Sequence, residues 1–79
     1  MIFLIEYDRS TRRTLRFKTF TDDQRRSAQD ERLQLELELS DRGVLLDREV
    51  VLLEAVDEQH LRRTHGRYFT HLPEGIASR

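Results

Sequence analysis

From Ile2 to Tyr7 the chain is apolar on both sides of an extended backbone, with Ile2 and Leu4 on one face and Phe3, Ile5 and Tyr7 on the other. Side chains alternate across a strand, so this segment predicts a strand covered on both faces, and hence a central one. Asp8 to Arg13 is polar and of hairpin length, and beyond it Leu15, Phe17 and Thr19 alternate with Arg16 and Lys18. That pattern predicts a second strand whose charged side makes it a protected edge.

From Asp22 to Asp41 there is no β-branched or aromatic residue, and good helix formers dominate. The strict alternation of Leu33, Leu35, Leu37 and Leu39 is also the signature of a half-buried strand. Signals at both ends favour the helix. Thr21 can cap, Gln24 stands three residues on as in a capping box, and Asp22 and Asp23 suit the positive end of the helix dipole. At the other end Arg42 lies in the last turn, Gly43 can take a left-handed conformation, and Val44 can touch Leu39. A helix from Asp22 to Arg42 is about 31 Å long at 1.5 Å per residue. Successive steps of 100° gather Ala28, Leu35 and Leu39 within about 40°, and place Leu33 and Leu37 on roughly the opposite side. Such a two-sided helix needs two partners. Asp22 with Arg26, and Glu38 with Arg42, have the spacing of exposed ion pairs along its flank.

After a connector containing Asp47, Val50, Val51, Leu52, Leu53 and Ala55 form a third strand that is apolar on both faces. Asp57 then caps a short second helix, with Val56 and Leu61 spaced as a hydrophobic staple, and Gly66 ends it. Tyr68 and Phe69 can fold back as a last apolar anchor. The order ββαβα predicts an α+β domain over residues 1–72 with a loose tail over 73–79. A helical crossover makes the second and third strands parallel to each other, so a third strand beside the first gives order 2-1-3 with antiparallel neighbours. The third strand then lies on the open edge. An apolar edge invites aggregation unless something covers it, so either the second helix or a twofold-related strand is expected there.

Composition sharpens this picture. A chain of 79 residues buries only about 60% of its unfolded surface, which leaves a thin core. With no cysteine, the disulfides and thiolate metal sites that staple many small domains are excluded, and oligomerisation remains. The net charge of −1 gives no field of one sign to gather nucleic acid or anionic lipid. The apolar start stops at Glu6, too short for a leader or a membrane span, which predicts a soluble, cytoplasmic protein with no membrane partner. Thirteen of the fourteen basic residues are arginine, and no function attaches to that bias.

The candidate interface comprises Leu33 and Leu37 with Val51 and Leu53, and the expected partner is a second copy of the chain or another protein. Burying each leucine fully contributes about 1.5–3 kcal/mol; the bland alternative packs Leu33 and Leu37 under the chain's own hairpin loop or tail. A rival site mixes guanidinium and aromatic groups at Arg62, Arg63, Arg67 and Tyr68, with Arg12, Arg13, Arg25 and Arg26 as extensions. Such a surface can track a phosphate backbone and stack bases, with binding that weakens steeply as salt rises. His60 and His65 are some 140° out of register on a helix, unlike the spacing that brings two imidazoles to one ion, and Gly66 intervenes before His71. No metal or other cofactor is expected. A pocket formed by His60, His65 and Glu58 is the weakest reading. Glu6, Glu49 and Glu54 fall at strand ends or margins, where solvated carboxylates are the rule, although Glu6 and Glu54 can be neighbours across adjacent strands. No nucleophile stands with a base, and no glycine loop can cradle a phosphate. The sequence thus predicts a non-catalytic interaction or structural module, a homodimer in its simplest form.

Overall fold

A computed structural model of the chain describes residues 1–69. The expected tail over 73–79, and His71, lie outside the described residues. Strand β1 (Ile2–Asp8), strand β2 (Arg13–Phe20), helix α1 (Arg25–Asp41), strand β3 (Arg48–Glu54) and helix α2 (Glu58–Thr64) follow in chain order. Short 3-10 turns at Asp22–Gln24, Leu45–Asp47 and Gly66–Phe69 complete the described chain. The three strands form an antiparallel sheet in the order β2-β1-β3, so the architecture is the α+β fold read from the pattern.

The two faces of β1 each receive a cover. On one face Ile2 and Leu4 pack with Phe20 and Ala28, with Val50 and Leu52 alongside. On the other, Phe3, Ile5 and Tyr7 pack with Leu61 and Tyr68, flanked by Phe17, Val51, Leu53 and Phe69. Helix α1 thus lies on one side of the sheet, and α2 with the last 3-10 turn lies on the other. Phe3 is tilted against Phe17 at 5.6 Å, and Tyr7 meets Tyr68 edge-on at 5.4 Å, the offset arrangements that aromatic quadrupoles favour.

The helix signals act as their chemistry requires. Thr21 donates its backbone N–H to the Gln24 side chain at 3.0 Å, and the first turn, Asp22–Gln24, is wound as 3-10 before the α-helix begins. Gly43 has φ +72°, while its N–H donates to Ser40 O and that of Val44 to Leu39 O, both at 3.0 Å. Those two bonds define a Schellman cap, which satisfies carbonyls the helix cannot use itself. Asp57 caps α2 by accepting the His60 backbone N–H at 2.8 Å.

Four local expectations differ. Leu15 does not join the inward row: the register shifts between Glu6 and Tyr7, Thr14 pairs with Tyr7 instead, and Leu15 is left half exposed. An irregularity of this kind turns a residue out of the alternation. Val56 does not staple onto Leu61, because Leu61 is taken wholly into the sheet core while Val56 stands 77% exposed. Glu6 and Glu54 are not neighbours: Glu54 is opposite Ile2, and Glu6 is opposite Val50. Asp22 pairs with the Met1 amino group at 2.9 Å, in place of the expected Arg26.

Candidate functional site

The edge of β3 is the natural place to look for a partner, because β3 has a strand on one side only. Which of its backbone groups face outward follows from the ladder. Met1 and Ala55 exchange both hydrogen bonds, at 2.9 and 3.1 Å, and Arg9 N–H donates to Asp47 O at 2.9 Å. In an antiparallel pair, bonded and non-bonded positions alternate, and the β1–β3 register is unbroken. Glu49, Val51 and Leu53 therefore bond toward β1, whereas Val50, Leu52 and Glu54 point their N–H and C=O groups away from the sheet. Arg48 also faces outward, although its N–H is taken by Leu45 O in the preceding turn. Among the described residues no strand pairs with this row.

Apolar side chains surround the edge. Leu46 is 88% exposed and Val56 77%, the two most exposed of the large hydrophobic residues described, and they flank β3 on either side. An open groove of about 490 Å³ runs along this edge, lined by Arg9, Glu36, Leu45, Leu46, Arg48 and Val50 among others. Leu33 and Leu37 stand about half exposed on α1, while Ala28, Leu35 and Leu39 are buried against the sheet. The helix is therefore two-sided, as its leucine spacing implies.

Ion pairs fix which flank of α1 leans toward β3. Arg25 is bound to Glu54 of β3 through its two terminal guanidinium nitrogens, one bond being 3.0 Å, and Glu36 lines the β3 groove. Glu31, on the other flank, accepts from Lys18 of β2 at 2.6 Å. Leu33 is on the β3 side of the helix crest and Leu37 at the crest itself, from the 100° step. The hydrogen bond from Arg25 holds the Glu54 carboxyl below its ordinary range.

Val51 and Leu53 turn their side chains into the α2-side core. Their part in the edge is thus through the backbone line they share with Val50 and Leu52. Sequence reading missed Leu46, and it assigned Val56 to a staple. The available signal was their equal separation from the middle of the third strand.

The arginine and aromatic residues near the C-terminus are brought together, but mostly bound to one another. Arg67 donates to Glu49 at 3.0 Å and lies over the rings of Tyr7 and Tyr68, each at 5.1 Å. The Tyr68 hydroxyl donates to the same carboxylate, and the Tyr68 ring is buried. Arg62 donates twice to Glu58, at 2.8 and 3.0 Å, and covers the Phe69 ring at 4.7 Å. Arg63 is exposed. Glu58 is thus tied to Arg62, and the His65 ring sits beside Tyr68 at 6.5 Å. Among the described residues no three histidine or acidic side chains are grouped to hold a metal, and no helix is long and apolar enough to cross a membrane.

Burial, followed by the bond to Glu49, pushes the Tyr68 hydroxyl up to about 12 from an ordinary value of 10.0. A raised value means that folding favours the neutral phenol, so its contribution to stability is full below pH 10 and is lost as pH rises toward 12. A phenolate absorbance titration of the folded protein should show a step in that upper range, and Tyr68→Phe should remove it. If the variant retains the step, Tyr68 does not make this bond.

A further carboxylate, Glu6, is buried on the α1 face of β1, where sequence reading expected a solvated group. Arg48 donates to it at 3.1 Å and Arg16 lies 3.5 Å away. The alternation that places Glu6 in line with Ile2 and Leu4 was the signal for its burial. Among the described residues no buried side-chain nitrogen or oxygen lacks a partner. Comparison of the chain with protein-family models, with curated proteins and with solved structures gives no match.

Proposed function

We propose that this chain is a non-catalytic interaction module that assembles as a homodimer through the outer edge of β3 and the adjoining flank of α1. The observation that carries this reading is the row of outward backbone groups at Val50, Leu52 and Glu54, set between Leu46 and Val56. Unpaired strand edges are templates for another strand, and natural domains blunt them with charge, proline or a covering segment. Among the described residues, Val50 and Leu52 carry none of these devices. Leu33 and Leu37, each about half exposed among the described residues, add apolar surface beside the edge, as a thin core favours.

The non-catalytic part of the proposal is supported by the state of the carboxylates. Glu6, Glu49, Glu54 and Glu58 each accept from an arginine. A second copy is favoured over an unrelated partner because the edge is complementary in charge to itself, with Arg48 at one end of β3 and Glu54 at the other. Size-exclusion chromatography with light scattering at high micromolar concentration should give twice the 9.5 kDa chain mass. A mass of one chain under those conditions sinks the proposal.

A further inference from the structure

We infer that two copies pair β3 with β3 about a twofold axis through Val51, closing a continuous six-stranded sheet. This rests on the homodimer reading above and adds the register, which the monomer's own geometry selects. In an antiparallel pair, residues opposite each other share a face of the sheet. A twofold axis perpendicular to the sheet must therefore pass through a residue of β3 and cannot pass between two. The outward row is Arg48, Val50, Leu52 and Glu54. An axis at Val51 sets Val50 opposite Leu52 of the second copy, and Arg48 opposite its Glu54. Every outward position then has an outward position opposite it, and at Arg48, whose N–H is bonded to Leu45 O, the C=O remains to accept from the second copy's Glu54. Moving the axis to Val50 leaves Glu54 facing beyond the second strand, and moving it to Leu52 leaves Arg48 doing so.

Two further observations agree on the same axis, and the helix spacing accords with a paired β3 edge in any register. Arg48 and Glu54 are opposite in charge, and each already holds an ion of the other sign, Glu6 and Arg25. Bringing Arg48 beside the second copy's Glu54 joins these pairs into one alternating chain. Leu46 and Val56 lie equally far from Val51 along the sequence, so the axis places each one near its counterpart on the second copy, at both ends of the seam. They are 88% and 77% exposed in the single chain, and their mutual contact gives that surface a cover. Helix α1 lies over β3 and β1. With strands about 4.8 Å apart, two helices so placed are brought to about 10 Å, near the distance at which helices pack. Leu33 then borders a helix seam.

Because the chain has no cysteine, single substitutions read the register directly. Opposed residues at a non-hydrogen-bonded antiparallel position have Cα atoms about 4.5 Å apart, within the range a disulfide spans. Val51→Cys should form a covalent dimer under mild oxidation in glutathione buffer, and Val50→Cys and Leu52→Cys should link far more slowly. If the wild-type protein is dimeric by light scattering but Val50→Cys or Leu52→Cys links fastest, the register is wrong while the dimer stands. If the wild-type protein is monomeric, the underlying reading fails.

A second test leaves β3 unaltered. Leu46→Lys should weaken self-association at least tenfold, Val56→Glu likewise, and the double variant should recover most of it, since lysine then faces glutamate. Both sites are exposed in the single chain, so neither change disturbs the core. Independent, additive losses in the double variant would overturn the contact.

Discussion

Phe3→Ala is expected to remove about 3–5 kcal/mol of folding stability, the range for deleting a buried aromatic ring. Phe3 is wholly buried in the central strand and stacked against Phe17. A domain of this length has only roughly 4–12 kcal/mol in total at the usual value per residue. The substitution therefore takes it to the margin of folding. Urea denaturation followed by circular dichroism measures the loss; a fall of less than about 1 kcal/mol would show that Phe3 lies outside the core, since exposed sites change stability by that little. The same measurement made at two protein concentrations separates the intrinsic term from any contribution of assembly, because a dimer's midpoint depends on concentration.

The second large effect is expected at Glu6. Its carboxylate is buried beside Arg48, whose side chain is itself only 15% exposed, while Arg16 reaches the surface. Removing one member of a buried ion pair leaves the other charge unmatched, and Glu6→Ala should cost about 3 kcal/mol, the lower end of the range for such pairs because Arg16 stays hydrated. Replacing the pair together by methionine, Glu6→Met with Arg48→Met, should recover most of that loss, since hydrophobic side chains of similar volume often substitute without penalty. Equal destabilisation in the single and double variants would count against this account. Arg48 also ends the outward row of β3, so the double variant should lose part of its self-association even where stability returns.

These effects trace back to features that differ in how far the sequence reveals them. The coverage of β1 on both faces was legible because five of the six residues from Ile2 to Tyr7 are apolar and fall in both phases of the strand period. The helix was legible in spite of its strand-like leucine alternation, because capping groups at Thr21, Gln24 and Gly43 act over one turn and depend on nothing distant. The burial of Glu6 was harder to read. Its phase was visible, but the arginines that hold it come from β2 and β3, and only the sheet registers bring Arg16 and Arg48 to it. Likewise Val56 has the right spacing for a staple on Leu61, yet Leu61 gains more from the core beneath β1 and β3 than from that local contact.

Among the candidate sites, the apolar surplus of α1 was visible in the sequence as an angle between leucines. The outward row at β3 was visible only as an edge, without its register. The arginine and aromatic cluster near the C-terminus could be seen as a composition, but the acceptor that engages Arg67 and Tyr68 is Glu49, on a strand some twenty residues earlier in the chain.

What the sequence alone determined is therefore the set of elements, their order, and the parallel sense of β2 and β3 that a helical crossover imposes, from which order 2-1-3 follows once the third strand lies beside the first. These rest on side-chain periodicity, end-capping and chain connectivity, all set within a few residues or by the handedness of a crossover. The tertiary structure alone decided which β3 groups face outward, where β2 shifts register, which glutamates find arginines, and that Leu46 and Val56 stand exposed among the described residues. Each of these depends on pairing between distant segments, where a one-residue slip moves a side chain to the other face and no local signal reports it.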